Sequence, residues 1–327
     1  MIKLVYINDG VTRDITAFTG NYSRADNIDS LGMSFNFDLV NNPLDKLADE
    51  RELSIGGKVI LSNNGVTVFT GVIVSYDRSS MSKYSYKCYD YGFYLNKSEA
   101  MVQFNNVTVS SALKTLCSQN NIPVGEITDI KTVVHKIYNG EKISDIIRDL
   151  LHFATNELGT KYRLEVNDNK LFIQKYEELV ISAFYKPARN VRGFNPVDFI
   201  GGFSSSYSIE EMSNRVIVVS SNEKNAQIYA TAEDSDNIST YGLLTKVEKL
   251  DDKNNSQAMN IAKTKLKELN KVTKRFKVTL FGDDRVRSGR MLVFNQPEIN
   301  LVGAFLVKNC THKYTGKAQT MELELEV

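Results

Sequence analysis

Strict alternation of apolar and polar residues marks the first part of the chain. Met33, Phe35, Phe37 and Leu39 alternate with Ser34, Asn36 and Asp38, and Tyr84, Tyr86 and Cys88 alternate with Lys83, Ser85 and Lys87. A period of two puts every second side chain on one face, so each run predicts a strand buried on one side. Met1–Tyr6 reads as a further strand. Asn8-Asp9-Gly10 and Asn63-Asn64-Gly65 supply the residues that tight hairpin turns require. About six strands within residues 1–96 predict a small barrel or sandwich.

The period then changes. Ser110 is placed to cap a helix carrying Leu113, Leu116 and Cys117 that ends before Pro123. Ile143, Ile146, Ile147, Leu150, Leu151 and Ala154 fall on one helical face, with Gly159 as the stop. A hairpin follows, Tyr162–Val166 and Lys170–Gln174, turned by Asn167-Asp168-Asn169. Residues 97–184 therefore predict a compact α/β module. Pro187, Gly193, Pro196 and Gly201-Gly202 read as loop, after which β character returns with Arg215–Ser220. One amphipathic helix near 256–270 turns Ala258, Ile261, Ala262, Leu266 and Leu269 inward, and Phe276, Val278 and Leu280 alternate beyond it. The last strand, Met321–Val327, has one apolar face and one anionic face of Glu322, Glu324 and Glu326. The predicted fold class is α+β, mainly β: a β block over 1–96, the α/β module over 97–184 and a second β block over 185–327.

The two β blocks echo each other. Gly57-Lys58-Val59-Ile60-Leu61, followed by Gly71, returns 232 positions later as Gly289-Arg290-Met291-Leu292-Val293, followed by Gly303. A third strand succeeds each copy, Lys83–Cys88 and Thr320–Val327. Each copy predicts a three-strand meander, with glycines where backbones approach or bend, and the pair predicts an internal duplication.

A hydrophobic content of 42% with 10% aromatics is that of a folded globular chain. Forty basic against 39 acidic residues give neither a basic excess nor a basic stripe, which argues against nucleic-acid recognition. No apolar run approaches the ~20 residues of a membrane span, and the N-terminus lacks a signal-peptide stretch. Three scattered cysteines, Cys88, Cys117 and Cys310, argue for reduced thiols in a chain made in a cytoplasm.

Chemistry-bearing motifs are sparse. The chain has no nucleophile elbow, phosphate-binding loop, dinucleotide fingerprint or zinc-protease helix motif. Gly201-Gly202-Phe203 with three serines reads as a flexible connector. His152 sits beside the apolar stripe of the 143–154 run and reads as structural, while His135 and His312 read as polar or edge positions on strands. Asp251-Asp252 and Asp283-Asp284 would serve glycoside hydrolysis only as carboxylates facing across a cleft; both pairs read as hydrated loops. No catalytic residue, cofactor or metal ligand is expected.

Phe69-Thr70-Gly71-Val72-Ile73, then Cys88-Tyr89-Asp90-Tyr91-Gly92 and Leu95, resemble phage baseplate hub proteins of the late-control protein D type. The XkdQ-like hubs of PBSX-type prophages and contractile phage-tail-like bacteriocins are nearer still. Asn214–Val218, Tyr241-Gly242, the Ala262…Leu266 helix, Gly282, Ser288-Gly289, Val307, Cys310 and His312 continue the resemblance in order. It implies two tube-like β-barrels per chain flanking the α/β module. It also implies a homotrimer that joins a hexameric tail tube to a trimeric spike among other baseplate proteins, in a virion or tail-like particle. The resemblance does not carry over a fused lysozyme-like activity. A tail-associated cell-wall hydrolase and a carbohydrate-binding or adhesion module are the competing readings, and the absence of Trp counts against the latter. The anionic face of the last strand is the candidate assembly surface.

Overall fold

The computed structural model describes residues 2–41, 52–184, 192–222, 227–250, 252–316 and 318–326. The first seven strands are β1 (Ile2–Asn8), β2 (Val11–Asp14), β3 (Thr19–Asn27), β4 (Ser34–Val40), β5 (Lys58–Asn63), β6 (Val66–Arg78) and β7 (Lys83–Tyr89). They pair antiparallel in the spatial order β3-β4-β7-β6-β5-β1-β2. The alternating side chains of β4 and β7 do what their period dictates: Phe35, Phe37, Leu39, Tyr84, Tyr86 and Cys88 are buried in one core with Leu4, Tyr6, Val59, Leu61 and Phe69. Asp9 and Gly10 both have positive φ (49° and 78°), as do Asn64 and Gly65 (51° and 84°), so both expected hairpin turns form.

Helix α1 (Gly92–Lys97) leads into a module of β8 (Glu99–Thr108), α2 (Val109–Gln119), β9 (Val124–Ile127), β10 (Val133–Lys142), α3 (Ile143–Leu158), β11 (Tyr162–Asn167) and β12 (Lys170–Lys175). β8 and β10 form one ribbon, and β11, β12 and β9 a second small sheet. The predicted apolar face of α3 packs with α2, and Gly159 closes α3 with φ +70°. Ser110 is not the cap of α2. Thr108 takes that place, its Oγ1 accepting from the Ser111 N–H, while Ser110 lies inside the helix with its hydroxyl on the Ile130 carbonyl.

The remaining elements are β13 (Gly202–Ser208), β14 (Arg215–Ser220), β15 (Ile228–Glu233), α4 (Ser235–Tyr241), β16 (Thr245–Leu250), α5 (Ala258–Leu269), β17 (Thr273–Phe281), β18 (Met291–Gln296), β19 (Leu301–Thr315) and β20 (Ala318–Glu326). β14, β15 and β16 leave the large sheet. They form a separate three-stranded sheet whose Val216, Val218 and Ala230 pack on Ala258, Ile261 and Ala262 of α5. The Ser-rich stretch read as a connector is instead strand β13. It was unreadable because its side chains carry no buried alternation and its place comes from the backbone ladder to β17.

β17, β20, β19 and β18 adjoin one another antiparallel, with β13 outside β17. The order β13-β17-β20-β19-β18 therefore repeats β3-β4-β7-β6-β5. Register agrees as well. Ile73 lies opposite Cys88, Cys88 opposite Phe35 and Phe35 opposite Arg24; Val307, Leu325, Phe276 and Ser205 are linked in the same way. Even the β-bulge recurs, between Ile73 and Ser75 in one unit and between Val307 and Asn309 in the other. A bulge is a specific local device, so its return at one ladder position weighs more than strand order alone.

The glycine echo is displaced from this structural match. Gly56 (φ +87°) donates to the Ile73 carbonyl and Gly289 (φ +81°) to the Val307 carbonyl, so Gly289 is the counterpart of Gly56, not Gly57. Gly71 lies opposite Val59, two residues before its bulge, and Gly303 opposite Phe294, four residues before its own, so the two occupy different ladder positions. Their equal spacing is coincidental. The pairing of the large sheet runs from β13 to β2 as an open path, and no closed barrel forms among the described residues.

Candidate assembly junction

One long strand joins the two units. β19 has β20 along one side; on the other it holds β18 against residues 301–306 and β3 against residues 309–314. Six backbone pairs, from Asn309 opposite Asn27 to Tyr314 opposite Tyr22, weld the second unit to the first.

Buried polar groups fix this weld. The Arg24 guanidinium, 3% exposed, donates to the Val68 carbonyl at 2.7 Å and lies 3.3 Å from Asp284 Oδ1. Asp284 also accepts from the Tyr314 hydroxyl (2.5 Å), Gln319 Nε2 (2.8 Å) and Asn63 Nδ2 (2.7 Å). His312 Nε2 is 2.8 Å from the Val286 carbonyl and its Nδ1 3.2 Å from Gln319 Nε2. An amide nitrogen and a carbonyl leave one consistent assignment: Nδ1 accepts and Nε2–H donates, so the ring is neutral. Burial, reinforced by the nearby Arg24 charge, lowers the imidazole to about 4.

A second cluster ties in the α/β module. Asp26 accepts from the Ser288 N–H (3.1 Å) and hydroxyl (3.0 Å) and lies 3.4 Å from Arg287 Nε. Arg163 of β11 donates to the Ser288 hydroxyl at 2.6 Å. Arg290 grips Glu165 with two bonds of 3.0 Å. Burial opposes ionisation of Glu165, but Arg287, Arg290 and Arg163 outweigh it and hold the carboxyl down to about 2. Close by, burial, with a smaller push from the Asp26 charge, drives the Asp90 carboxyl up to about 6, although it accepts from the Gly92 N–H. Buried charges of this kind persist only when paired and hydrogen-bonded, and here they register three segments against one another.

Of the residues singled out in the sequence, Asp284 and His312 meet through Gln319, with Cys310 3.3 Å from the His312 ring, and the others are dispersed. Asp283 and Asp284 are not free loop carboxylates: Asp283 is 6% exposed, bound by Arg285 and the Phe184 N–H, and the half-buried Asp284 serves the weld. Asp251 and the Asp252 side chain lie outside the described residues. His312 occupies no edge; it is 1% exposed on β19, between β3 and β20. His152 is exposed, 3.3 Å from Asn156, and His135 is exposed against Asn105. Cys88, Cys117 and Cys310 are free and buried. Among the described residues no three His, Cys, Asp or Glu groups converge as a metal site. A cavity of about 240 Å³ beside Tyr91, Tyr94 and Asn169 has no carboxylate, histidine, thiol or cation in its lining.

The anionic face of β20 reaches solvent, but its carboxylates are already partnered within the chain. β20 lies between β17 and β19, and its glutamates are engaged by Lys313 (2.6 Å to Glu322), Asn309 (2.6 Å to Glu324) and Lys308 (3.0 Å to Glu326). Alternation revealed the charged face but not the cations on the neighbouring strand. Open backbone edges of the large sheet among the described residues include β13, β2 and the end of β6 beyond Ile73.

A two-unit antiparallel sheet welded through one shared strand and fixed by buried polar clusters is the architecture of the described residues, and the fold has known relatives. Residues 24–326 match the YqbQ-like family, and the chain belongs to it. It is 25% identical to the phage-like element PBSX protein XkdQ of Bacillus subtilis over 280 residues, covering 84% of this chain and 82% of that protein. Its fold is similar to that of the 43 kDa tail protein of prophage MuSo2 from Shewanella oneidensis. That match has a TM-score of 0.72 and 12% identity over 99% of this chain and 98% of the other. It is also similar to the E. coli c3393 protein, a type VI secretion system component that resembles the T4 tail proteins gp27 and gp5. There the TM-score is 0.54 and the identity 11%, over 94% of this chain and 73% of the other.

Proposed function

We propose that this chain is a structural baseplate hub of a contractile phage tail or tail-like particle, a trimeric adaptor between a hexameric tube and a trimeric spike. The observation that carries this reading is the duplication of one strand order, register and bulge within a single polypeptide. A chain holding two copies of one unit presents six copies as a trimer, which reconciles sixfold with threefold symmetry. On this reading residues 1–96 and 185–327 carry the two tube-like units and 97–184 an inserted module. The 215–269 sheet and helix are a further insertion in the second unit. The family assignment and the tail-protein folds support the reading.

A structural role is favoured over cell-wall hydrolysis because Asp283 and Asp284 are committed to internal partners. Partners are then the tube, the spike and other baseplate proteins, with synthesis in a bacterial cytoplasm and assembly into the particle. Native mass spectrometry of the chain mixed with its spike protein tests the proposal. Three hub chains per spike trimer are expected. A chain that stays monomeric with both tube and spike present would contradict it.

A further inference from the structure

The internal weld has a counterpart elsewhere in the repeat, whose two strands do not pair with each other among the described residues. Inside the chain, β3 of the first unit lies antiparallel on residues 309–314 of β19, beyond the bulge. The ladder correspondence makes β13 the counterpart of β3 and the Ser75–Arg78 end of β6 the counterpart of residues 309–312. β13 pairs only with β17, and the end of β6 pairs only with β7, among the described residues. One chain therefore has both halves of a second weld, β13 at one end of the sheet and the free end of β6 within it, with β17, β20, β19, β3, β4 and β7 standing between them.

From this repeated junction, and resting on the hub reading, we propose that β13 of one copy adds antiparallel to the end of β6 of a second copy. Transferring the internal register, in which His312 faces Arg24, sets Ser205 opposite Arg78. Ser206 then faces Asp77, Tyr207 faces Tyr76, and Ser208 faces Ser75. The edge suits the role. β13 carries no charge and no proline, the devices that normally block strand addition, and its Phe203 and Tyr207 are 42% and 51% exposed. Tyr207 rests edge-on against Phe276, and Tyr76 packs beside Tyr84 and Tyr86, so the proposed Tyr207–Tyr76 pair extends rings already in place. The contact is heterologous, one edge meeting a different edge, so it builds a ring or an open fibre; with two units per chain, a sixfold arrangement closes at three copies.

The test is disulfide trapping in the full chain. Opposed residues in an antiparallel pair have Cα atoms about 4.5–5.5 Å apart, within the span of a disulfide. A Ser206→Cys, Asp77→Cys double variant, oxidised in the presence of the spike, should give covalent dimers and trimers on a denaturing gel. The single variants and the out-of-register pair Ser204→Cys, Asp77→Cys should give little of either. The native thiols are buried and should not contribute. A trimer seen by native mass spectrometry, but no faster cross-linking for the in-register pair, would overturn the strand pairing and leave the hub reading standing. In-register cross-linking that continues past three chains would support the pairing and overturn the trimeric hub.

Discussion

Acidification should weaken the weld between the two units through His312. The ring is neutral in the fold, with Nε2–H on Val286 and Nδ1 receiving Gln319, and it is shut in with Arg24. Protonation would bury a second cation and turn Nδ1 from acceptor to donor against an amide that also donates. The folded imidazole, at about 4, lies below the unfolded value of 6.5, so between these pH values the unfolded chain binds more protons. The stabilisation is therefore complete above pH 6.5 and falls as pH drops towards 4. The gap corresponds to about 3 kcal/mol, a large fraction of the ~5–15 kcal/mol by which domains are stable. Imidazole ¹H–¹⁵N NMR reads it directly, because only three histidines are present and His135 and His152 are exposed. His312 should keep its neutral Nε2–H signature at pH 5.5. A His312→Gln variant should flatten the loss of stability between pH 6.5 and 4.5. Protonation of His312 near 6.5, or equal acid sensitivity in the variant, would refute the reasoning.

Further outcomes follow from the buried groups. Asp284→Ala strands Arg24 beneath the sheet and should cost about 3 kcal/mol in urea unfolding, by the scale for breaking a buried pair; a loss under about 0.5 kcal/mol would show that the backbone contacts of Arg24 suffice. Below pH 4.5, protonation of Glu165 as its folded value of about 2 is approached should loosen the α/β module from the second unit; Glu165→Gln should remove that low-pH component, read as hydrogen exchange in β11. Gly71→Ala places a Cβ 2.2 Å from the Tyr89 carbonyl oxygen and should destabilise by roughly 1–3 kcal/mol; an unchanged melting temperature would mean that β6 and β7 part more easily than their register implies.

Local rules were legible where the physics is local. Asn8-Asp9-Gly10 and Asn63-Asn64-Gly65 announce their turns because few residues tolerate positive φ, and the alternation in β4, β7, β17 and β20 reports one buried face each. What the chain hides is pairing between distant segments. Asp284 reads as a loop carboxylate until Arg24, Asn63, Tyr314 and Gln319 are seen around it; alternation with Cys310 and Tyr314 hints that His312 is buried, but not that Val286 and Gln319 meet its ring. β13 hides for a different reason, since backbone hydrogen bonds leave no trace in side-chain pattern. The repeat was visible through Gly57 and Gly289, but its true alignment needs ladder and bulge, because Gly71 lies two residues before its bulge and Gly303 four before its own.

The most direct test is electron cryomicroscopy of the chain assembled on its spike, with tube protein added. The number of β units around the axis decides the matter. The account predicts one ring of six, with the first and second units alternating and three α/β modules spaced between them. A threefold ring with the two units at different heights along the axis would contradict it.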